Sequence, residues 1–105
     1  MRFPAQKELL ILELLLSRGV MYALKMTEED KRLKLGTVYA TLYRMEKQNW
    51  VKSYEEDDPD HPGLPRRYYE LTGEGERVLR AAWTLLQTGT AAPARSRRQV
   101  TSKRG

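Results

Sequence analysis

The chain has 105 residues, which is room for one domain of ordinary size. It has no cysteine and a single histidine, which excludes disulfide scaffolds, thiolate metal sites, cysteine nucleophiles and multi-histidine metal centres. No apolar run approaches the ~20 residues that cross a bilayer, so we expect a cytoplasmic protein. No nucleophile–base set, phosphate-binding loop or metal-ligand set is visible, so we expect no enzyme, no metal and no cofactor.

The net charge of +5 is concentrated at the carboxy-terminal end. Residues 89–105 hold five of the 19 Lys and Arg residues and none of the 14 Asp and Glu residues, so residues 1–88 are electrically balanced. Because residues 89–105 are also rich in Gly, Ala, Pro and Ser, they predict a disordered basic tail after a folded domain at 1–88. This tail is either a passive extension or an arm that follows DNA phosphates.

The amino-terminal half predicts three helices. Residues 7–16 are almost continuously apolar, but Leu and Glu dominate and Gly19 follows, which favours a helix over a strand. Residues 20–30 have apolar side chains at helical spacing and predict a short second helix, and residues 31–34 are a basic connector.

The clearest helical period covers residues 35–50. One side carries Leu35, Val38, Leu42, Met45 and Asn49. The opposite side is small or hydrogen-bonding rather than simply charged, with Thr41 and Gln48 at its edges; it comprises Gly36, Thr37, Ala40, Tyr43, Arg44 and Lys47.

The remaining elements are a hairpin and a last helix. Residues 51–56 and 66–71 have the pattern of strands, and the turn-forming residues 57–65 predict a long loop between them. We interpret Asp57, Asp58, Asp60 and His61 as a solvated acidic loop rather than a metal site, because their spacing matches no calcium loop. Thr72 is the expected N-cap of a helix over about 72–88, whose apolar stripe contains Val78, Leu79, Ala82, Leu85 and Leu86.

Three helices, a hairpin and a fourth helix make a mainly α chain with a small β-hairpin. This order is typical of a winged helix-turn-helix, here followed by a helix for dimerisation. In that fold the third helix enters the major groove of DNA, which is ~12 Å wide.

Three segments resemble the PadR family of bacterial transcriptional regulators. They are ELLILELLLSRGVMYALKM (8–26), GTVYATLYRMEKQNWV (36–51) and PRRYYELTGEGERVL (65–79). The resemblance implies a homodimeric winged-helix repressor that dimerises through its carboxy-terminal helix. It also implies that a small molecule binds some members, and the single short last helix resembles the small type of the family.

The resemblance implies a set of DNA-binding residues. It places Tyr39 as a phosphate contact and Arg66 and Arg67 at the base of the wing's second strand, with Thr37, Ala40, Thr41, Tyr43 and Arg44 in the recognition helix. The residue types agree with this, because small side chains allow close approach to base edges, and an arginine binds guanine or phosphate. Lys34, which stands where many relatives have a serine cap, and Lys47 are further expected phosphate contacts.

The apolar first and last helices predict a dimer interface. A 105-residue monomer has little material to cover a helix that is apolar on nearly all sides. The expected interface residues are Leu9, Leu12, Leu16, Val78, Leu79, Ala82, Trp83 and Leu86. Trp50 is expected to fill the base of the wing, whereas Trp83 is core, dimer contact or platform for a flat aromatic effector.

The sequence therefore predicts a transcriptional repressor that binds a double-stranded DNA operator as a homodimer, with helix 35–49 in the major groove. A winged helix that binds proteins and has no operator is the alternative. The balanced charge of residues 1–88 and the acidic wing tip keep that alternative open.

Overall fold

The computed structural model of the chain describes residues 2–90. These residues form four helices and one antiparallel sheet of three strands, in the spatial order β1-β3-β2. The elements in chain order are α1 (Gln6–Arg18), β1 (Met21–Tyr22), α2 (Ala23–Glu29), α3 (Leu35–Lys47), β2 (Val51–Asp58), β3 (His61–Leu71) and α4 (Gly73–Thr90). The predicted winged helix-turn-helix is confirmed, with α3 at the position of the predicted recognition helix and β2 and β3 as its wing.

The second helix begins later than predicted. Met21 and Tyr22 form β1 and pair with Tyr69 and Tyr68 of β3, so the expectation of a helix from residue 20 is wrong at its start. The pairing buries Met21 and sets the Tyr22 ring edge-on to the Tyr68 ring at 5.8 Å between centroids. These tertiary contacts outweigh the helical spacing of the local sequence.

The recognition helix also ends earlier than its pattern indicates. Asn49 lies beyond the helix with a φ of 65°, in the left-handed region, and its side chain is exposed rather than on the apolar side. The Trp50 amide then donates to the Met45 carbonyl oxygen at 2.9 Å, which closes the helix end and turns the chain into β2. Trp50 itself is buried at the root of the wing, as predicted.

The wing is longer than predicted, because residues 57–65 are mostly strand. Only Pro59 and Asp60 lie between β2 and β3. Asp58 is buried rather than solvated: it accepts a hydrogen bond from Arg66 Nε at 2.6 Å and one from the Asp60 amide at 2.9 Å. These contacts fix the conformation of the wing tip. The turn-forming residues alone do not predict such an ordered tip.

The core is built from one chain and covers α1 on more than one side. α1 packs against α3, α4 and β3. Four of the residues expected at the dimer interface are therefore buried within the single chain, and that expectation is wrong for Leu12, Val78, Leu79 and Ala82. Leu9, Leu16 and Trp83 are partly buried against the same core, and Leu86 is exposed.

The last helix has the predicted cap. The Gly75 amide donates to Thr72 Oγ1 at 2.9 Å, as an N-cap requires. α4 continues to Thr90, two residues beyond the predicted end, and residues 91–105 of the predicted tail lie outside the described part of the chain. Within residues 2–90, no helix is long and apolar enough to cross a membrane.

Candidate nucleic-acid interface

The outward face of α3 carries most of the predicted DNA-binding residues. Tyr39 and Tyr43 are 52% and 62% exposed, and the Lys47 ammonium lies 5.0 Å from the centre of the Tyr43 ring. Lys34 precedes the helix without a side-chain cap, as the absence of a serine there predicts. The other exposed members of this face are Gly36, Thr37, Ala40 and Arg44. This face thus has small side chains near the start of α3 and positive charge near its end.

Thr41 is the exception on this helix. Its side chain is 1% exposed, so the expectation that it lies on the DNA-binding face of α3 is wrong. It stands one turn from Val38 and Met45, on the edge of the buried stripe. Its hydroxyl accepts a long hydrogen bond from Arg44 Nη2 at 3.5 Å, so Thr41 contacts an exposed arginine from within the protein.

The two arginines of the wing are held by carboxylates of their own chain. Arg66 binds Asp58 and also stacks on the Tyr22 ring, with 4.3 Å from its guanidinium carbon to the ring centre. Arg67 contacts Glu55 Oε2 at 3.1 Å and donates to Ser53 Oγ at 3.0 Å. The Arg66 guanidinium lowers the pKa of Asp58 to about 2, so this pair is fully ionised at neutral pH. Both arginines lie beside the recognition helix, but neither is a free cation.

Two clefts flank α3 on opposite edges. The wing-side cleft, of about 190 Å³, lies between Tyr39 and the wing residues Arg66 and Arg67. The α1-side cleft, of about 380 Å³, lies between the amino-terminal end of α1 and the last turns of α3, where Arg44 and Lys47 line it. The recognition helix therefore forms a ridge with a recess on each side.

Glu8 lies at the bottom of the α1-side cleft and was missed by the sequence reasoning. Its side chain is 1% exposed, and Arg2 donates to both carboxylate oxygens, at 2.9 and 2.7 Å. Burial raises the pKa of Glu8, but the hydrogen bonds from Arg2 and the Ala5 amide, with the charges of Arg2 and Arg44, outweigh it and lower the pKa below its ordinary value. A glutamate three residues after the N-cap Ala5, within an apolar helix, was the available signal.

The two other side chains singled out in the sequence, Trp83 and His61, contact carboxylates. Trp83 Nε1 donates to Glu13 Oε2 at 3.0 Å, so its indole joins α4 to α1 within one chain. His61 Nδ1 lies 3.3 Å from Asp58 Oδ2. Within residues 2–90, no group of three His, Cys, Asp or Glu side chains is arranged to hold a metal ion.

The chain matches one known protein family and is similar to solved structures of that family. The model of the PadR-like family of transcriptional regulators matches residues 11–81. A PadR family regulator from Clostridium difficile R20291 is 29% identical with a TM-score of 0.66, over 82% of this chain and 95% of that one. A second, from Eggerthella lenta DSM 2243, is 28% identical with a TM-score of 0.64, over 81% and 78%.

A more distant structure shares the fold alone. A mutant of Escherichia coli MarR, complexed with operator DNA, is 14% identical with a TM-score of 0.65, over 82% of this chain and 58% of that one. A search of curated proteins finds no match. The relatives at 28–29% identity are transcription regulators, which confirms the expectation that the chain is not an enzyme. Because the family model covers residues 11–81, the chain belongs to the PadR-like family of transcriptional regulators.

Proposed function

We propose that the chain is a transcriptional repressor that binds a duplex operator as a homodimer, with α3 in the major groove. The outward face of α3 is the observation that carries this proposal. Gly36, Thr37 and Ala40 are small and exposed, so the helix backbone can approach base edges closely. Exposed hydroxyl and cationic groups surround them, as a helix that contacts both bases and phosphates requires.

The fold supports the same placement. A mutant of E. coli MarR, which shares this fold, has been crystallised with operator DNA. Tyr39 lies at the wing-side edge of α3 and Lys34 at its amino-terminal end, where the two backbones that border a major groove would run. Tyr39 and Lys34 are therefore phosphate contacts, which set the register of the helix on the duplex.

An apolar surface at the amino terminus and α4 supports the homodimer. Phe3, Leu85 and Leu86 are 47%, 59% and 47% exposed. Phe3 and Leu85 line a groove of about 210 Å³ together with Pro4 and Ala81. Burying such side chains stabilises by ~1.5–3 kcal/mol each, and two-fold symmetry places two copies of α3 on successive half-sites. Trp83 is partly buried against the core, and its contact with a flat aromatic effector remains a prediction.

The test is binding to the DNA upstream of the protein's own gene, compared with a shuffled duplex of equal composition. Arg44→Ala should weaken operator binding and leave thermal unfolding unchanged, because Arg44 is exposed on the face of α3 proposed to meet the duplex. Arg77→Ala on α4 is the matched control and should leave affinity unchanged. Unchanged affinity in Arg44→Ala would mean that α3 does not lie in the groove.

One observation favours a second function, a protein-binding winged helix. Both wing arginines are ion-paired within the chain, and the wing tip also carries Glu56, Asp57 and Asp60. Such a wing is not attracted to a phosphate backbone. Equal affinity of the wild-type protein for upstream and shuffled DNA would favour this function over the repressor.

A further inference from the structure

We propose that the α1-side cleft is a binding site for one backbone phosphate of duplex DNA, held by Arg44 and Lys47. This proposal rests on the proposed function, since it assumes that α3 meets a duplex. The proposal goes beyond that function by assigning a phosphate to the edge of α3 that faces α1, where neither the family match nor the wing geometry places a ligand.

The position of the cleft is the first argument. The buried stripe of α3 runs through Val38, Leu42 and Met45, so Tyr43 and Lys47 project away from the core. Arg44 lies on the α1 side of that ridge and Tyr39 on the wing side, each lining its own cleft. A helix in a major groove ~12 Å wide has a phosphate backbone along each edge, so both clefts face phosphates.

Charge distinguishes the two edges. On the wing side, Asp58 and Glu55 already neutralise the two arginines. On the α1 side, the ion pairs found among residues 2–90 involve neither Arg44 nor Lys47. A phosphate at the α1-side cleft can therefore bind Arg44 and Lys47 without first breaking an ion pair between either of them and a carboxylate.

The floor of the cleft explains why those two cations stay available. The charge of Glu8 attracts Arg44, but the two carboxylate oxygens of Glu8 are hydrogen-bonded to the Arg2 guanidinium and the Ala5 amide, so Glu8 forms no ion pair with Arg44 or Lys47. Arg2 is fixed in turn by stacking on the Trp50 ring, at 5.0 Å from its guanidinium carbon to the ring centre. The Glu8–Arg2 pair at the floor of the cleft thus has no net charge. The positive charges of Arg44 and Lys47 at the mouth of the cleft are available to bind an anion.

The phosphate of a duplex is distinguished from free phosphate by its geometry. The cleft is open along the ridge of α3, and both cations stand on the helix that would lie in the groove. When α3 lies in the groove, the duplex itself positions a phosphodiester at the cleft. A free phosphate ion must instead be held by two exposed side chains alone.

The experiment measures the salt dependence of binding to the operator and to a shuffled duplex. Lys47→Gln and Arg44→Gln should each lower the magnitude of the slope of log affinity against log salt concentration, and the double variant should lower it by about 0.9, because a single phosphate is neutralised. Each should weaken binding to both duplexes by the same factor, because a phosphate contact carries no sequence information. Arg77→Gln, which removes the same charge from α4, should leave the slope unchanged. An unchanged slope in the α3 variants, or a loss confined to the operator, would overturn the proposal.

A second measurement locates the phosphate. Duplexes with one neutral methylphosphonate linkage are scanned position by position with the wild-type protein and with Lys47→Gln. One neutral linkage should weaken wild-type binding by a larger factor than Lys47→Gln binding, in which only Arg44 still contacts that phosphate, while Arg77→Gln protein keeps the wild-type loss. Equal losses in wild type and Lys47→Gln at every position would refute the site.

The controls separate this proposal from the proposed function. If the wild-type protein shows no preference for the operator, the repressor fails, while the slopes on the shuffled duplex still report on the cleft. Inorganic phosphate at matched ionic strength should compete no better than chloride. Stronger competition that Lys47→Gln abolishes would identify a free-phosphate site and overturn the duplex assignment.

Discussion

Glu8 and Arg2 join three parts of the molecule through one ion pair. Glu8 belongs to the first turn of α1, Arg2 to the segment before it, and the Arg2 guanidinium reaches the Trp50 ring at the root of the wing. Because Glu8 is buried, its charge requires Arg2, whereas the half-exposed Arg2 can be hydrated without Glu8. The pair therefore fixes the amino-terminal segment beside the recognition helix.

Removing the two partners should have unequal effects on stability. Arg2→Met leaves a buried carboxylate without its cation and should destabilise the fold by about 3 kcal/mol, the lower end for buried pairs. Glu8→Gln leaves only the half-exposed guanidinium and should cost less. Urea unfolding of the two variants measures the difference, and an equal loss in both would mean that the pair makes no net electrostatic contribution.

The same pair predicts a pH dependence. The pKa of Glu8 is lowered in the folded state, so its contribution to stability is present above the ordinary glutamate pKa and is lost as the pH falls below it. The urea midpoint of Glu8→Gln should accordingly fall less steeply than that of wild type on acidification. Parallel curves for the two proteins would contradict this.

At the scale of elements, α4 is joined to the end of α3 by a close backbone contact. Thr72 Oγ1 donates to the Asn49 carbonyl oxygen at 2.6 Å, and the Thr72 amide donates to the Trp50 carbonyl oxygen at 3.1 Å. These bonds bring Gly75 against Trp50, where a Cβ on Gly75 would overlap the Trp50 carbonyl oxygen. The absence of a side chain at this position lets α4 start beside the root of the wing.

Gly75→Ala should therefore destabilise the protein by about 1–3 kcal/mol, because backbone atoms must shift to admit the methyl group. Gly73→Ala is the matched control, since its Cβ would meet only the Arg77 side chain, at 3.7 Å. It should be neutral or slightly stabilising, as alanine favours the helix. Thermal denaturation compares the two variants, and equal melting temperatures would show that the joint tolerates a side chain.

The elements also show where sequence reasoning succeeds. The period of α3 and the cap of α4 are local features, so Val38, Leu42 and Thr72 predict them. β1 depends on β3, far along the chain, and the wing tip depends on the Asp58–Arg66 pair. The pairing of Met21 is not encoded in a local period, whereas Thr41 was misassigned because it lies at the edge of the buried stripe, where the helical period alone does not separate a buried from an exposed side chain.

At the scale of the whole molecule, the charges and the apolar surface lie in different places. The cations of α3 belong to the proposed DNA face, whereas Leu85 and Leu86 are exposed on α4. The single chain covers α1, so the apolar surface that remains is smaller than the sequence indicates. Of the exposed residues on α4, Leu85 lines a groove together with Phe3.

This apolar groove predicts a homodimer through α4 and the amino-terminal segment. Sedimentation at micromolar concentration should give about twice the 12.2 kDa chain mass. Leu85→Glu should shift the protein to the monomer, because a carboxylate in an apolar interface loses its hydration without gaining a partner. Leu64→Glu is the matched control, since Leu64 is 61% exposed on the wing against 59% for Leu85, and it should remain dimeric. A folded monomer in the wild-type protein would refute the dimer, and a dimer in Leu85→Glu would place the interface elsewhere.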